Sequence, residues 1–247
     1  MATLRLIRER APGSGAFDTA VSRALMLRVA KRELQETFRL YRPARIVAFG
    51  RQDERAPGFR DAVIAAKEQG FESVVRLAGG RAAVFHAGTL SFAHAIPEDD
   101  VTARTFARFR QMSDLLASAL RRLGIDARVG EVPGEYCPGD YSVNSAGRVK
   151  LVGIGQRLVS GAAHVGGVVV AEDGLSVRSV LVPVYRALGL DWDPATASSV
   201  QDEVGAGWEE VEAAIVSEIA DRYDIEEVSL DDETLALAAG MEPDHVA

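Results

Sequence analysis

Between residues 73 and 171 the chain reads as seven extended segments broken by a single helix, and this succession limits the fold more than any other feature. The segments fall at 73–78, 82–86, 90–95, 126–132, 141–143, 150–156 and 164–171, with Gly79-Gly80 and Gly88 as the first breaks. The one helix in the run, 101–123, carries Phe106, Phe109, Met112, Leu116, Leu120 and Leu123 at spacings of three and four, a single apolar stripe for a core. Thr102 is placed to cap it and Gly124 to end it. Before the run, strands are expected at 3–8, 38–41 and 45–49. Helices are expected at 18–34, with Asp18 as N-cap, and at 59–69, stopping at Gly70. After it come a helix at 176–188 that Pro183 should break, a helix marked by Trp208, Val211, Ile215 and Ile219, and a short one at 233–239. Strands and helices do not alternate regularly. The pattern therefore predicts an α+β fold, a mixed and mostly antiparallel sheet flanked by helices, rather than a doubly wound one.

A length of 247 residues suits one large domain with a small appendage, here expected as 1–200 and an acidic helical 201–247. The net charge of −8 is divided unevenly: the last 47 residues hold Arg222 as their one arginine or lysine, and the body is mildly basic. The tail is expected either to fold back on the body or to leave the body free for an acidic partner, with Arg42, Arg45, Arg148 and Arg157 as a docking face. One cysteine excludes an internal disulfide and suits a reducing compartment. Residues 1–11 alternate arginine with apolar residues and read as no secretory leader, and no apolar run approaches a membrane span. The expectation is a soluble cytoplasmic protein that binds neither membrane nor nucleic acid.

The chemistry concentrates in residues 134–157. Cys137 is the sole cysteine, and Lys150 is one of three lysines among 28 basic residues. A lone cysteine is commonly an inert small hydrophobe. Cys137, however, sits among Gly134, Pro138 and Gly139, which read as a turn. Lysine is a compact point charge, and placed near a thiol it favours thiolate and supports an oxyanion. Thirteen residues separate the two, enough for two adjacent strands with a turn at Ser145-Ala146-Gly147. A second candidate is Arg76-Leu77-Ala78-Gly79-Gly80-Arg81-Ala82, a glycine loop with two arginines that suits an anionic ligand and reads equally as a hairpin turn.

The Arg76-x-x-Gly79-Gly80-Arg81-Ala82 loop, followed by Gly88 and Leu90, resembles the signature loop of the lipoate–protein ligase and octanoyltransferase family. Leu40-Tyr41-Arg42-Pro43 and residues 47–52 resemble its early strands. Residues 147–157, through Lys150, Gly153, Gly155, Gln156 and Arg157, resemble its lysine motif. The likeness runs from about residue 15 to about 195. It implies a biotin/lipoyl-ligase-like α+β fold and the attachment of octanoyl or lipoyl groups to a lysine of a lipoyl carrier domain. Cys137-Pro138-Gly139-Asp140-Tyr141-Ser142 resembles the branch that transfers the acyl group through a cysteine without a cofactor. In that reading Cys137 is the nucleophile and Lys150 contacts the acyl carbonyl. Arg76, Gly79, Gly80, Arg81 and Ala82 line the acyl pocket, with Gly153, Gly155 and Gln156 beside them. The implied partners are carrier domains of 2-oxoacid dehydrogenase subunits, the glycine cleavage carrier protein and acyl carrier protein. The alternatives are an ATP- and Mg²⁺-dependent lipoate–protein ligase and a non-catalytic carrier-protein binder. Two departures stand out: Phe85-His86 where ligases carry His then Asp, and Gly155 where many relatives have alanine.

Overall fold

The computed structural model describes residues 2–247, and Met1 lies outside them. In chain order the elements are β1 (Ala2–Ile7), α1 (Gly15–Ala30), β2 (Thr37–Tyr41), β3 (Ile46–Phe49), α2 (Phe59–Glu68), β4 (Glu72–Val75), β5 (Ala83–Phe85) and β6 (Thr89–Pro97). There follow α3 (Thr105–Arg122), β7 (Ala127–Val129), β8 (Val143–Ser145), β9 (Val149–Val159), β10 (Ala162–Val170), α4 (Gly174–Leu188), α5 (Val200–Val204), α6 (Trp208–Ala220), β11 (Tyr223–Glu227) and α7 (Asp232–Ala239).

Five segments of the expected strand run, from β6 to β10, join one antiparallel stretch of sheet, and the first two, β4 and β5, go elsewhere. Eight strands lie in the order β11-β1-β2-β6-β10-β9-β8-β7. Pairing is antiparallel from β2 across to β7, while β1 runs parallel to both β2 and β11. β3, β4 and β5 form a separate sheet with β3 in the middle, parallel to β4 and antiparallel to β5. The Gly79-Gly80 loop is therefore no hairpin turn. It carries the chain across the width of β3, and this leaves its backbone on top of the small sheet. Of the expected turn Ser145-Ala146-Gly147, Ser145 is the last residue of β8, and Ala146 and Gly147 make the turn at positive φ, 54° and 71°.

Because side chains alternate along a strand, the large sheet has two faces of different character. One carries Phe38, Leu40, Leu90, Phe92, Val152, Val165 and Val169 into the main core, where α3 and α6 cover them. The other presents paired rows across four strands: Tyr41, Ser91, Val168 and Gly153, then Arg39, Ala93, Gly166 and Gly155. Four strands at the usual spacing extend about 14 Å. The small sheet packs on α2 and α4 through Val47, Phe49, Ala62, Ala66, Val84, Val177, Val180 and Val184.

Several local expectations need correction. α1 starts at Gly15, and Ser14, not Asp18, caps it by accepting from Phe17 N–H. Asp18 is buried against Arg39, itself 0% exposed, and accepts the Ala11 N–H as well. α3 begins one turn late. Asp100 takes the N–H groups of Thr102 and Ala103, so Thr102 caps nothing. Its apolar stripe holds from Met112 onward, but Phe106 is 72% exposed. Pro183 does not break α4; burial of Val180, Leu181, Val184 and Tyr185 on either side offsets the lost backbone bond. The acidic tail folds back: Glu212 and Glu227 pair with Arg8, Asp231 and Glu233 with Arg28, Glu218 and Asp221 with Arg122, and Asp244 with Arg23. Three arginines of the expected docking face are engaged within the chain. Arg42 stacks on Trp208, Arg45 on Phe71, and Arg148 pairs with Glu203. No helix among the described residues is long and apolar enough to cross a membrane.

Ser14 and Asp18, both near the start of α1, do different jobs, and their variants separate them. Ser14→Ala removes a cap and should cost about 1 kcal/mol. Asp18→Ala leaves the buried Arg39 charge without its partner and should cost about 3–5 kcal/mol. Urea denaturation of the two variants checks the order; a larger loss for Ser14→Ala would contradict it.

Candidate active site

A cavity of about 550 Å³ lies between the paired rows of the large sheet and the small sheet. Its floor is built from Tyr41, Ser91, Val168, Gly153 and Gly155. Ile46, Ala48, Ala83 and Phe85 of the small sheet face them, and Thr19 and Ser22 of α1 close one side. Phe106, Phe109 and Tyr141 stand at another side, the last two stacked with ring centres 5.0 Å apart. The exposed start of the α3 stripe is thus cavity wall rather than core.

One end of the cavity is polar, and Glu135 organises it. Its side chain is fully buried and accepts from Val132 N–H, Gly139 N–H and Ser142 Oγ. It also receives Lys150 Nζ at 2.9 Å. A buried carboxylate needs this many partners to offset the loss of water. Lys150, 1% exposed, spends its other two protons on the carbonyls of Tyr136 at 3.0 Å and Cys137 at 2.7 Å. The pair closes the loop that precedes β8 onto β9.

That closure fixes Cys137 at φ +43°, in the left-handed region that residues other than glycine rarely adopt. Tyr185 of α4 supports the turn from behind. Its hydroxyl accepts the Cys137 N–H at 2.8 Å and donates to the Ala82 carbonyl at 3.0 Å, so it ties the cysteine turn to the glycine loop. Trp192 packs against both Tyr185 and Tyr136.

The thiol lines the cavity. Sγ accepts from Arg81 N–H at 3.2 Å and lies 3.5 Å from a guanidinium nitrogen of Arg76. Burial pushes the Cys137 thiol up, but the Arg76 and Lys150 charges and the Arg81 N–H outweigh it and hold the thiol below its ordinary range. The site thus favours a thiolate. The glycine loop must approach closely for this. Gly80 is at φ +112°, and a Cβ there would run into the Arg76 guanidinium and Cys137 Sγ.

Of the residues expected at a site, Cys137, Lys150, Arg76, Gly79, Gly80, Gly153, Gly155 and Gln156 line this cavity. Arg81 and Ala82 do not. Arg81 contributes its backbone N–H while its side chain pairs with buried Asp53 at 3.2 Å, and Ala82 is buried behind the loop. The Gln156 side chain reaches α3, accepting from Arg108 Nε at 3.1 Å and donating to Thr105 O at 2.8 Å. His86 is not among the lining residues; its Nδ1 accepts the Gly88 N–H in the turn before β6. Sequence reasoning passed over Glu135, Tyr185 and His164. Glu135 carried a signal, an acid inside the cysteine turn, whereas Tyr185 is distant in sequence and carried none. His164 lines the cavity with Nδ1 buried and unpartnered, and burial pulls it down to about 4, helped by nearby His94.

The lipoyl protein ligase A/B catalytic domain model matches residues 14–218. An octanoyl-GcvH:protein N-octanoyltransferase from Geobacillus kaustophilus is 29% identical over 170 residues, covering 69% of this chain and 60% of its own. A lipoyl-GcvH:protein N-lipoyltransferase from Listeria monocytogenes is 26% identical over 189 residues, covering 75% of this chain and 61% of its own. The chain thus spans about 60% of the length of these curated relatives. Among solved structures, one of a bi-partite lipoate protein ligase and its E2 lipoyl domain from Thermoplasma acidophilum matches with a TM-score of 0.75 at 22% identity, over 98% of this chain and 93% of that one. A lipoate-protein ligase A bound with ATP matches with a TM-score of 0.77 at 22% identity, over 98% and 95%. At such identities the likeness speaks for the fold.

His164 gives the site a pH signature. Its folded pKa lies below that of an unfolded histidine, so as pH falls below about 6.5 the unfolded chain binds a proton the folded chain refuses. Stability should fall with acid, by about 2 kcal/mol from this residue at pH 5. Urea unfolding of wild type and His164→Asn at pH 7.5 and 5.0 measures it: the acid-induced loss should be smaller in the variant by about that amount, and an equal loss would contradict it.

Proposed function

The chain belongs to the lipoyl protein ligase A/B catalytic-domain family, and on that footing we propose that it is a protein acyltransferase working through a Cys137 thioester. It moves an octanoyl or lipoyl group between carrier-protein lysines. The observation that carries this reading is the thiol itself: the chain's sole cysteine, at a cavity wall, held toward thiolate by two cations and a backbone N–H. An incidental cysteine needs none of these. The names of the relatives place octanoyl-GcvH or lipoyl-GcvH as donor and a protein as acceptor. The same pairing is proposed here, with lipoyl carrier domains as acceptors.

In the first half, Cys137 Sγ attacks the acyl carbonyl carbon. A C–S bond forms and the carbonyl π pair moves to oxygen. The intermediate collapses by breaking the C–N bond, and the donor lysine leaves as an amine with a proton from water. In the second half, the neutral amine of the acceptor lysine attacks the thioester carbon. The C–S bond breaks, the thiolate returns, and the new amide nitrogen loses its proton to water. The acyl group arrives already attached, so the reaction as proposed consumes no nucleotide. The acyl chain lies along the row from Gly153 through Val168 and Ser91 to Tyr41, the apolar stretch between the two sheets.

Incubation with octanoyl-GcvH and no ATP should give a mass adduct of one octanoyl group that hydroxylamine removes, and Cys137→Ser should give none. Activity seen with free octanoate, ATP and Mg²⁺ alone, undiminished in Cys137→Ser, would replace this reading with that of a ligase. Lys150→Arg tests the site's geometry. Arginine keeps the charge but cannot place three donors on Glu135 Oε1, Tyr136 O and Cys137 O, so adduct formation should fall at least tenfold. A rate within twofold of wild type would remove the lysine from the mechanism.

A further inference from the structure

A tetrahedral intermediate on Cys137 places a negative oxygen beside Sγ, and some donor must receive it. The expectation from sequence is Lys150, but Lys150 has no donor left. Its three protons are on Glu135 Oε1 at 2.9 Å, Tyr136 O at 3.0 Å and Cys137 O at 2.7 Å. Two of those acceptors are backbone carbonyls of the cysteine turn itself. Releasing any one would leave a buried acceptor unpaired and loosen the turn. The Arg81 side chain is also committed, to Asp53.

Arg76 is different. One of its terminal nitrogens bonds Gly79 O and lies 3.5 Å from Cys137 Sγ. Its Nε is buried and has no partner. Nε and that terminal nitrogen share one edge of the guanidinium plane, the edge that grips the two oxygens of a carboxylate. In the intermediate the sulfur and the oxygen are bonded to one carbon, as the two oxygens of a carboxylate are. One edge of Arg76 therefore matches both atoms at once, with the terminal nitrogen on sulfur and Nε–H on oxygen.

We propose, building on the thioester reading above, that Arg76 is a catalytic residue whose Nε–H receives the oxyanion, and that Lys150 is a positioning residue holding the Cys137 turn. The carbonyl π pair moves to oxygen as the C–S bond forms. Arg76 donates a hydrogen bond throughout and transfers no proton. When the oxygen re-forms its double bond, the C–N bond breaks as set out above.

The test separates thiolate content from oxyanion support. Iodoacetamide alkylation against pH reports the thiolate alone, and the rate of octanoyl adduct formation from octanoyl-GcvH reports both. In Arg76→Ala the alkylation midpoint should move upward. At a pH above that midpoint alkylation should recover to the wild-type rate, while adduct formation stays roughly 10²-fold or more below it. Added guanidinium chloride at millimolar concentration should restore part of the adduct rate. Arg76→Lys retains a positive charge near the thiol without the fork, and should keep the alkylation midpoint near that of wild type yet lose the adduct rate, a safeguard if Arg76→Ala folds poorly. Recovery of adduct formation in step with alkylation, or a fully active Arg76→Lys, would overturn the assignment. A wild-type protein that forms no adduct would instead bring down the thioester reading and this one with it.

Discussion

The buried pair of Glu135 and Lys150 is the contact on which the polar end of the cavity depends. Neither side chain reaches water. Their attraction alone does not repay the desolvation of two charges, and such pairs are often no more stable than a packed apolar substitute. What this pair provides is position. Glu135 collects four donors from residues 132–150, and Lys150 collects two carbonyls of the turn between them. Together they over-determine a turn whose central residue has an unfavourable backbone conformation, +43° at Cys137. Tyr185 adds a strut to the glycine loop. The thiol is thereby set where Arg81 N–H and Arg76 already point.

The cavity itself comes from having two sheets. The large sheet alone would offer an open floor of small residues, Gly153, Gly155, Ala93 and Gly166 among them. The small sheet lies over it, and the loop between β4 and β5 crosses to the cysteine. Gly155 fits this arrangement. A Cβ there would stand 3.0 Å from Ala78 Cβ and 3.1 Å from Gly79 O, tight against the loop. The glycine that departs from the common alanine leaves the loop that much more room.

Much of this was legible in the sequence. Period-two alternation between short turns predicts antiparallel strands, and β6, β7, β9 and β10 fall where that pattern puts them, while β8 begins two residues after its expected start. The turn at Ala146-Gly147 was readable from Gly147, which tolerates positive φ, whereas Ala146 at +54° carried no such signal. The second sheet was not readable. β4 and β5 do not pair with each other but with β3, which comes earlier and is reached through α2, and no local signal reports such a partner. Asp18 looked like a cap because N-caps favour Asp along with Ser, Thr and Asn, yet its partner Arg39 is 21 residues away. Phe106 obeyed the helical spacing of a core residue, but spacing marks a face, and this face continues past the core to the cavity. The charge split was legible as a choice, and the arginines of the body resolve it by pairing with the tail.

Lysine at 150 in a chain that otherwise relies on arginine has an explanation in the shapes of the two heads. An ammonium is compact and aims three donors in three directions. At 150 it meets three acceptors that converge on one point: a carboxylate oxygen and two successive carbonyls of a tight turn. A guanidinium spreads its donors in a plane and cannot meet that set. At 76 the need is the opposite. The loop must present a flat edge beside a sulfur while a second donor on that edge stays open, and a lysine there would offer a point instead of an edge. The two cations lie near one thiol, and both lower its proton affinity, but they are not interchangeable. One is enclosed and complete, and so holds the turn. The other is incomplete until something anionic enters the cavity.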